Sequence, residues 1–93
     1  MPLMIALRKL GSRWTLLVLR ELFSWGRRFS ELRKANPQIP AKSLARVLAK
    51  LEEDGLIQRT VNSTRPPQVG YSLIYKDPIL REVIEALFRY GSK

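Results

Sequence analysis

Basic side chains are the residues whose chemistry says most about this sequence. The 93 residues include 17 Lys and Arg against 8 Asp and Glu, a formal net charge of +9. Between residues 27 and 50, seven basic residues accompany one acid, Glu31, for a local net charge of +6 (7 − 1): Arg27, Arg28, Arg33, Lys34, Lys42, Arg46 and Lys50. Such an excess favours a polyanionic partner, nucleic acid before an acidic membrane surface.

Catalytic and metal-binding side chains are scarce. The sequence contains no His and no Cys, which excludes disulfides, thiolate metal sites, Cys nucleophiles and imidazole bases. The carboxylates form no evident pair for acid–base chemistry. We therefore expect a protein that is not an enzyme, binds no metal and needs no cofactor.

The apolar segments do not indicate export or membrane insertion. The N-terminal stretch MPLMIALRKLGSRW has no small-residue cleavage site after a long apolar run. The best apolar run, WTLLVLRELFSW, is interrupted by Arg20 and Glu21 and is too short to cross a bilayer. We expect one domain over residues 1–93, located in the cytoplasm, with no membrane partner.

Helical periodicity dominates the first half of the chain. It predicts a short helix over 3–10 and a core helix from Arg13 to Ser24, with Gly26 at its C′ position. Ser30 is expected to cap a short third helix, which stops at Asn36-Pro37. A fourth helix spans 41–54 and ends at Gly55.

Alternating residues follow, and then a last helix. Residues 56–62 and 69–75 are typical of half-buried strands joined by the loop NSTRPPQ, and Asp77-Pro78 starts the final helix. The order is helix, helix, short helix, helix, strand, strand, helix. It predicts an α+β, mainly α, fold: a winged helix-turn-helix with a two-stranded wing and a C-terminal dimerisation helix.

The fourth helix has the charge distribution of a DNA-recognition helix. Leu44, Val47, Leu48 and Leu51 form an apolar stripe, and the opposite face is basic and small in its first two turns. The acidic residues of the helix lie in its last turn, the reverse of the placement that the helix dipole favours. This distribution is consistent with a polyanion bound at the N-terminal half of the helix. An amphipathic helix with a solvated charged face is the alternative.

Hydroxyl groups and a loop arginine extend this surface. Ser and Thr hydroxyls can donate to phosphate, and an Arg at a hairpin tip can enter a minor groove. The predicted DNA-binding residues are Arg28, Ser30, Ala41, Lys42, Ser43, Ala45, Arg46, Lys50, Ser63, Thr64 and Arg65.

Three segments resemble the HxlR-type winged helix-turn-helix transcriptional regulators, relatives of the MarR-like regulators. These are LGSRWTLLVLREL, the stretch RRFSELRKANPQIPAKSLARVLAKLEEDGLIQRT, and PPQVGYSL. By position, Lys42, Ser43 and Arg46 match the recognition helix and Arg65 matches the wing. Gly70 and the segment IYKDP depart from the family pattern. Some members sense oxidants through a cysteine, which this chain lacks.

The resemblance implies a homodimer built on the terminal helices, and the apolar surface of those helices agrees with it. The predicted dimer interface comprises Leu3, Ile5, Leu7, Leu80, Val83, Ile84, Leu87 and Phe88. The expected function is sequence-specific binding of double-stranded DNA by a transcriptional regulator. A basic architectural or RNA-binding protein and a winged-helix protein-interaction module are the alternatives, and a small-molecule effector is unknown.

Overall fold

The computed structural model describes residues 1–24, 26–63 and 65–93. These residues form α1 (Pro2–Leu10), α2 (Thr15–Ser24), β1 (Arg27–Arg28), α3 (Phe29–Ala35), α4 (Ala41–Glu53), β2 (Ile57–Asn62), β3 (Gln68–Leu73) and α5 (Pro78–Gly91). The strands form one antiparallel sheet in the order β1-β3-β2. Helices α3 and α4 are the helix-turn-helix and β2–β3 is the wing, which confirms the predicted fold.

The sheet has one strand more than the predicted two-stranded wing. In β1, Arg27 lies opposite Tyr71 and Arg28 opposite Gly70. Two residues are too few to show an alternating pattern, so periodicity cannot reveal this strand. Gly70 of β3 pairs with Arg28 on one side and with Thr60 of β2 on the other. A Cβ on Gly70 would lie 3.2 Å from Thr60 Oγ1. A glycine there therefore lets the neighbouring strand pack closely.

Helix α2 contributes three nearly inaccessible side chains, Val18, Leu19 and Leu22, to the core. The rest of the buried apolar cluster comes from the helix-turn-helix, the wing and α5: Leu32, Ile39, Leu44, Val47, Leu48, Leu51, Ile57, Leu73 and Ile84. The predicted stripe of α4 is thus confirmed as its core face. Each such side chain contributes about 1.5–3 kcal/mol by burial, and together they fix the orientation of α4.

Two of the predicted helix ends are confirmed. Gly55 has a φ of +77° and follows the last turn of α4, as a left-handed C′ residue does. At the other predicted boundary, Asp77 Oδ1 accepts a hydrogen bond from the Ile79 N–H at 2.9 Å, with Pro78 as the first residue of α5.

One predicted helix start is wrong, and one helix ends where predicted, at Ser24, but without the predicted glycine cap. Helix α3 begins at Phe29, so Ser30 lies inside its first turn and Arg28 occupies the N-cap. The short strand β1 leads directly into α3, and the Glu31 carboxylate accepts from the Arg28 N–H at 2.8 Å. Gly26 does not adopt the left-handed conformation; among the described residues only Gly55 has a positive φ.

Strand β2 is less buried than its alternating pattern predicts. Only Ile57 is buried, and Val61 is 57% exposed. The expectation of a half-buried strand is therefore wrong for β2 beyond Ile57, whereas β3 is half-buried along its length, as predicted. Within the three described ranges, no helix combines the length and apolar character needed to cross a bilayer.

Candidate nucleic-acid interface

Helix α4 turns its basic side chains away from the core. As far as Lys50, the exposed side chains of α4 are small or positively charged: Lys42, Ala45, Arg46, Ala49 and Lys50. Ala41 and Ser43 are half-buried at its flank. The predicted contact face of α4 is therefore accessible along the first two turns, where small residues allow the backbone to approach a ligand closely.

The turn between α3 and α4 fixes where this face begins. The buried Asn36 side chain donates from Nδ2 to the Leu32 carbonyl at 3.3 Å, and the Ile39 N–H donates to the Asn36 carbonyl at 3.0 Å. Ile39 is only 4% exposed, so it anchors the turn in the core. Pro40 is the N-cap of α4 and makes no side-chain cap bond. The first N–H groups of α4 thus lack a side-chain cap and can bind an anion.

The acidic end of α4 pairs partly within the helix. Lys50 Nζ lies 3.1 Å from Asp54 Oδ2, and the Lys50 side chain is 55% exposed. Exposed pairs of this kind contribute about 1 kcal/mol or less. A phosphate can therefore compete for Lys50, whereas Lys42 and Arg46 have no ion-pair partner among the described residues.

The start of α2 lies beside the basic face of α4. Ser12, Trp14 and Thr15 line one side of a shallow cleft of about 260 Å³, and Ser43, Arg46 and Lys50 line the other. Ser12 Oγ accepts a hydrogen bond from the Trp14 N–H at 3.2 Å. Ser12 is not among the DNA-binding residues predicted from the sequence, because the approach of the start of α2 to α4 leaves no local sequence signal.

The wing and the start of α3 form a second cationic surface. Arg28 and Ser30 share a cleft of about 430 Å³ with Arg59 and Tyr71, which lie opposite each other in β2 and β3. Sequence reasoning missed Arg59. In a half-buried strand, the position of Arg59 would carry an apolar residue. The charge at this position therefore indicates a surface role only once β2 is known to be exposed.

The tip of the wing is exposed at the predicted positions. The side chains of Ser63 and Arg65 are both accessible, and Thr64 lies outside the described residues. The structure thus leaves Ser63 and Arg65 open at the end of the wing, while Arg28 lies opposite Gly70 in the middle of β3.

The comparisons with known proteins agree with this geometry. The family model described as HxlR-like helix-turn-helix matches residues 9–93. The chain belongs to this HxlR-like family. An uncharacterized HTH-type transcriptional regulator from Methanothermobacter thermautotrophicus is 37% identical over 87 residues, which cover 94% of this chain and 66% of that protein. The chain therefore spans about two thirds of that relative's length.

Solved structures of two other regulators show the same fold as this HxlR-like chain. The redox regulator HypR in its oxidized form superposes with a TM-score of 0.90 at 28% identity, covering 99% of this chain and 95% of that one. A MarR-family transcriptional regulator from Porphyromonas gingivalis W83 superposes with a TM-score of 0.91 at 28% identity, covering 99% and 90%. All three compared proteins are named as regulators. This HxlR-like chain contains no cysteine, so thiol chemistry cannot operate within these 93 residues.

The terminal helices of this HxlR-like chain have largely uncovered apolar faces. Helix α1 has no buried residue, and Leu3, Ile5 and Leu7 are 59%, 49% and 57% exposed. In α5, Val83 and Leu87 are 41% and 48% exposed. These two helices therefore present apolar side chains that the subunit itself does not bury.

Three residues of the predicted dimer interface have contacts inside the subunit. Ile84 is 8% exposed and belongs to the core cluster, so its assignment to the interface is wrong: its side chain packs in the core of its own subunit. Leu80 is half-buried against the same core. The Phe88 ring lies 4.5 Å below the Arg20 guanidinium but remains 54% exposed.

Proposed function

We propose that this chain is a sequence-specific, double-stranded-DNA-binding transcriptional regulator that acts as a homodimer in the cytoplasm. The observation that carries the proposal is the exposed, basic N-terminal half of α4, held in place by a buried apolar face on the same helix. Membership of the HxlR-like family supports it.

The proposed role of α4 is to enter the major groove. Recognition helices of helix-turn-helix proteins contact base edges from their N-terminal residues. Arg46 is the candidate for base reading, because a guanidinium can bond both acceptors on a guanine edge. Lys42 and Ser43, together with Arg28 and Ser30, are the candidates for phosphate contacts, which position the protein without reading sequence.

The proposed role of the wing is to contact the adjacent minor groove. Arg65 is exposed at the wing tip, and a narrow A·T minor groove attracts arginine through its concentrated negative potential. Lys50 would contact phosphate after its ion pair with Asp54 is broken.

The proposed homodimer buries the terminal helices. If two copies of the chain pair through these helices about a two-fold axis, the exposed faces of α1 and α5 in each copy are covered by the other. An apolar groove between α2 and α5, lined among others by Leu16, Leu17 and Leu87, offers further surface. Such symmetry would place the two α4 helices about 34–36 Å apart, one turn of DNA.

A competition experiment with a double variant tests this function. Lys42→Ala combined with Arg46→Ala should weaken binding to a selected duplex much more than binding to a scrambled duplex of equal composition. The matched control is Lys76→Ala combined with Arg81→Ala, which removes the same charges from exposed positions outside α4 and should preserve the preference.

Each outcome has a distinct meaning. If the double variant keeps the wild-type preference, α4 does not read the sequence and the proposal fails. If the wild type itself binds both duplexes, or double-stranded RNA, equally well, the chain is an architectural or RNA-binding protein. Absence of any nucleic-acid binding would favour a protein-interaction module.

A further inference from the structure

The cleft between the start of α3 and the wing contains an arginine whose role the predicted contacts do not include. The cleft has a volume of about 430 Å³. Arg28 and Ser30 line its α3 side, and residues of both wing strands, among them Arg59 and Tyr71, line the other. Arg28 and Ser30 are candidates for phosphate contacts, whereas Arg59 has no assigned function. Its position, its surroundings and the path of the DNA indicate one.

Arg59 projects from the same face of the wing that packs on the core. Alternate residues of a strand share a face, so Arg59 lies on the face of Ile57, which is 1% exposed. Tyr71 lies directly opposite Arg59 in β3 and is half-buried against the core cluster. The core therefore holds the backbone on both sides of Arg59, while the Arg59 side chain remains exposed.

The lining of the cleft is positively charged. It includes two arginines and no acid, a net charge of +2 (2 − 0). Among the residues that the structure describes, no carboxylate lies at ion-pair distance from Arg28 or Arg59. Glu31, in the first turn of α3, accepts a hydrogen bond from the Arg28 backbone N–H at 2.8 Å. Two like charges in one cleft repel each other, and an anion bound between them removes that repulsion.

Neutral hydrogen-bond donors accompany the two arginines. The Ser30 hydroxyl and the Gln68 amide belong to residues of the same lining, and both groups can donate to phosphate oxygens. A guanidinium presents its N–H donors in a planar fork that matches the geometry of a phosphate. The composition of the cleft therefore suits a phosphate group.

The proposed DNA complex brings such a group to this place, and the inference rests on that proposed function. A protein that inserts a helix into the major groove and a loop into the adjacent minor groove straddles the sugar–phosphate strand between the two grooves. In the proposed complex, α4 and Arg65 occupy these grooves. The cleft lies between the helix-turn-helix and the wing, so the straddled strand is the anion that reaches it.

We propose that Arg59 is a further DNA-contact residue, which holds one backbone phosphate in this cleft together with Arg28. Ser30 and Gln68 donate to oxygens of the same phosphate. Because the contact is to the backbone, it carries no sequence information. It sets the position of the wing relative to α4 on the duplex.

Fluorescence anisotropy with the selected and the scrambled duplex tests the role of Arg59. Arg59→Gln should weaken binding to both duplexes equally, by about tenfold, because charge-assisted hydrogen bonds to phosphate are lost. Arg59→Lys keeps the charge and should recover most of this loss. The control Lys76→Gln removes the same charge from an exposed position outside the cleft and should bind within about twofold of the wild type.

Uncharged methylphosphonate groups, placed at one backbone position of the selected duplex at a time, locate the phosphate. One position in each half-site, on the strand between the bases that α4 reads and the minor groove at the wing, should lower wild-type affinity. This loss should shrink in Arg59→Gln and in Arg28→Gln, and it should vanish in the double variant. Arg65→Ala, the control within the wing, should retain the loss in full.

Several results would overturn the inference while the DNA function stands. Wild-type affinity of Arg59→Gln on both duplexes would exclude the contact, and a loss confined to the selected duplex would make Arg59 a reader of bases. Effects of Arg28 and Arg59 at different methylphosphonate positions would exclude a shared phosphate. A lower thermal unfolding midpoint of Arg59→Gln with unchanged methylphosphonate losses would assign Arg59 a structural role. A wild type that binds no duplex would overturn both this inference and the proposed function.

Discussion

Substitution of Arg46 is the most direct single-residue test of the proposed mode of DNA binding. It is accessible in the second turn of α4 and, among the described residues, no acid pairs with it. A bidentate contact to guanine is worth about 1–3 kcal/mol of discrimination. Arg46→Ala should therefore raise the dissociation constant on the selected site by about 5- to 140-fold, at 1.4 kcal/mol per tenfold.

Fluorescence anisotropy over a range of salt concentrations separates the two ways in which Arg46 can act. Each phosphate contact contributes about 0.9 to the slope of log affinity against log salt. If Arg46 reads a base, the loss appears on the selected duplex and the slope is unchanged. If Arg46 contacts phosphate, selected and scrambled duplexes lose affinity equally and the slope falls by about 0.9.

The control for this experiment is Arg81→Ala. Arg81 lies on α5, where its Nε is 3.2 Å from Glu85 Oε1, and the change in net charge is the same. We expect affinity within about twofold of the wild type, because a single distant surface charge is screened at moderate salt. Wild-type affinity of Arg46→Ala on both duplexes at every salt concentration would refute the role assigned to Arg46.

Three other variants test the wing, the dimer and the end of α4. Arg65→Ala should weaken binding most on sites with flanking A·T tracts; equal affinity of variant and wild type on such a site in a gel-shift titration would exclude Arg65. Leu87→Arg should yield a monomer in sedimentation velocity, because it places a charge in the apolar interface, whereas the exposed Glu82→Arg control should remain dimeric. A folded Leu87→Arg dimer would exclude Leu87. Gly55→Ala should lower the free energy of unfolding by about 1–2 kcal/mol, because φ at this position is +77°. The added Cβ would meet no atom within 4 Å, so the expected cost comes from backbone strain alone. An unchanged urea midpoint would contradict this.

The parts of the fold that local patterns determine were predictable from the sequence. The stripe of α4, the glycine after its last turn and the cap at Asp77 each depend on residues a few positions apart. The order of elements follows from these signals, and so does the assignment of a winged helix-turn-helix.

Features that depend on distant partners were not predictable in this way. The strand β1 exists because it pairs with β3, more than forty positions along the chain (Arg27 opposite Tyr71). Its pairing places the start of α3 at Phe29 and displaces Ser30 from the cap. The exposure of Val61, the burial of Ile84 and the approach of Arg59 to Arg28 likewise depend on how the wing and α5 pack against the helices.

Selection of bound duplexes from a random pool tests the central claim most directly. A homodimer with α4 in the major groove predicts an enriched inverted repeat, with half-sites about 10 base pairs apart centre to centre. The same selection with the Lys42→Ala, Arg46→Ala variant should show no enrichment. An enriched single half-site would contradict the dimer, and a pool that remains random for the wild type would contradict sequence-specific binding itself.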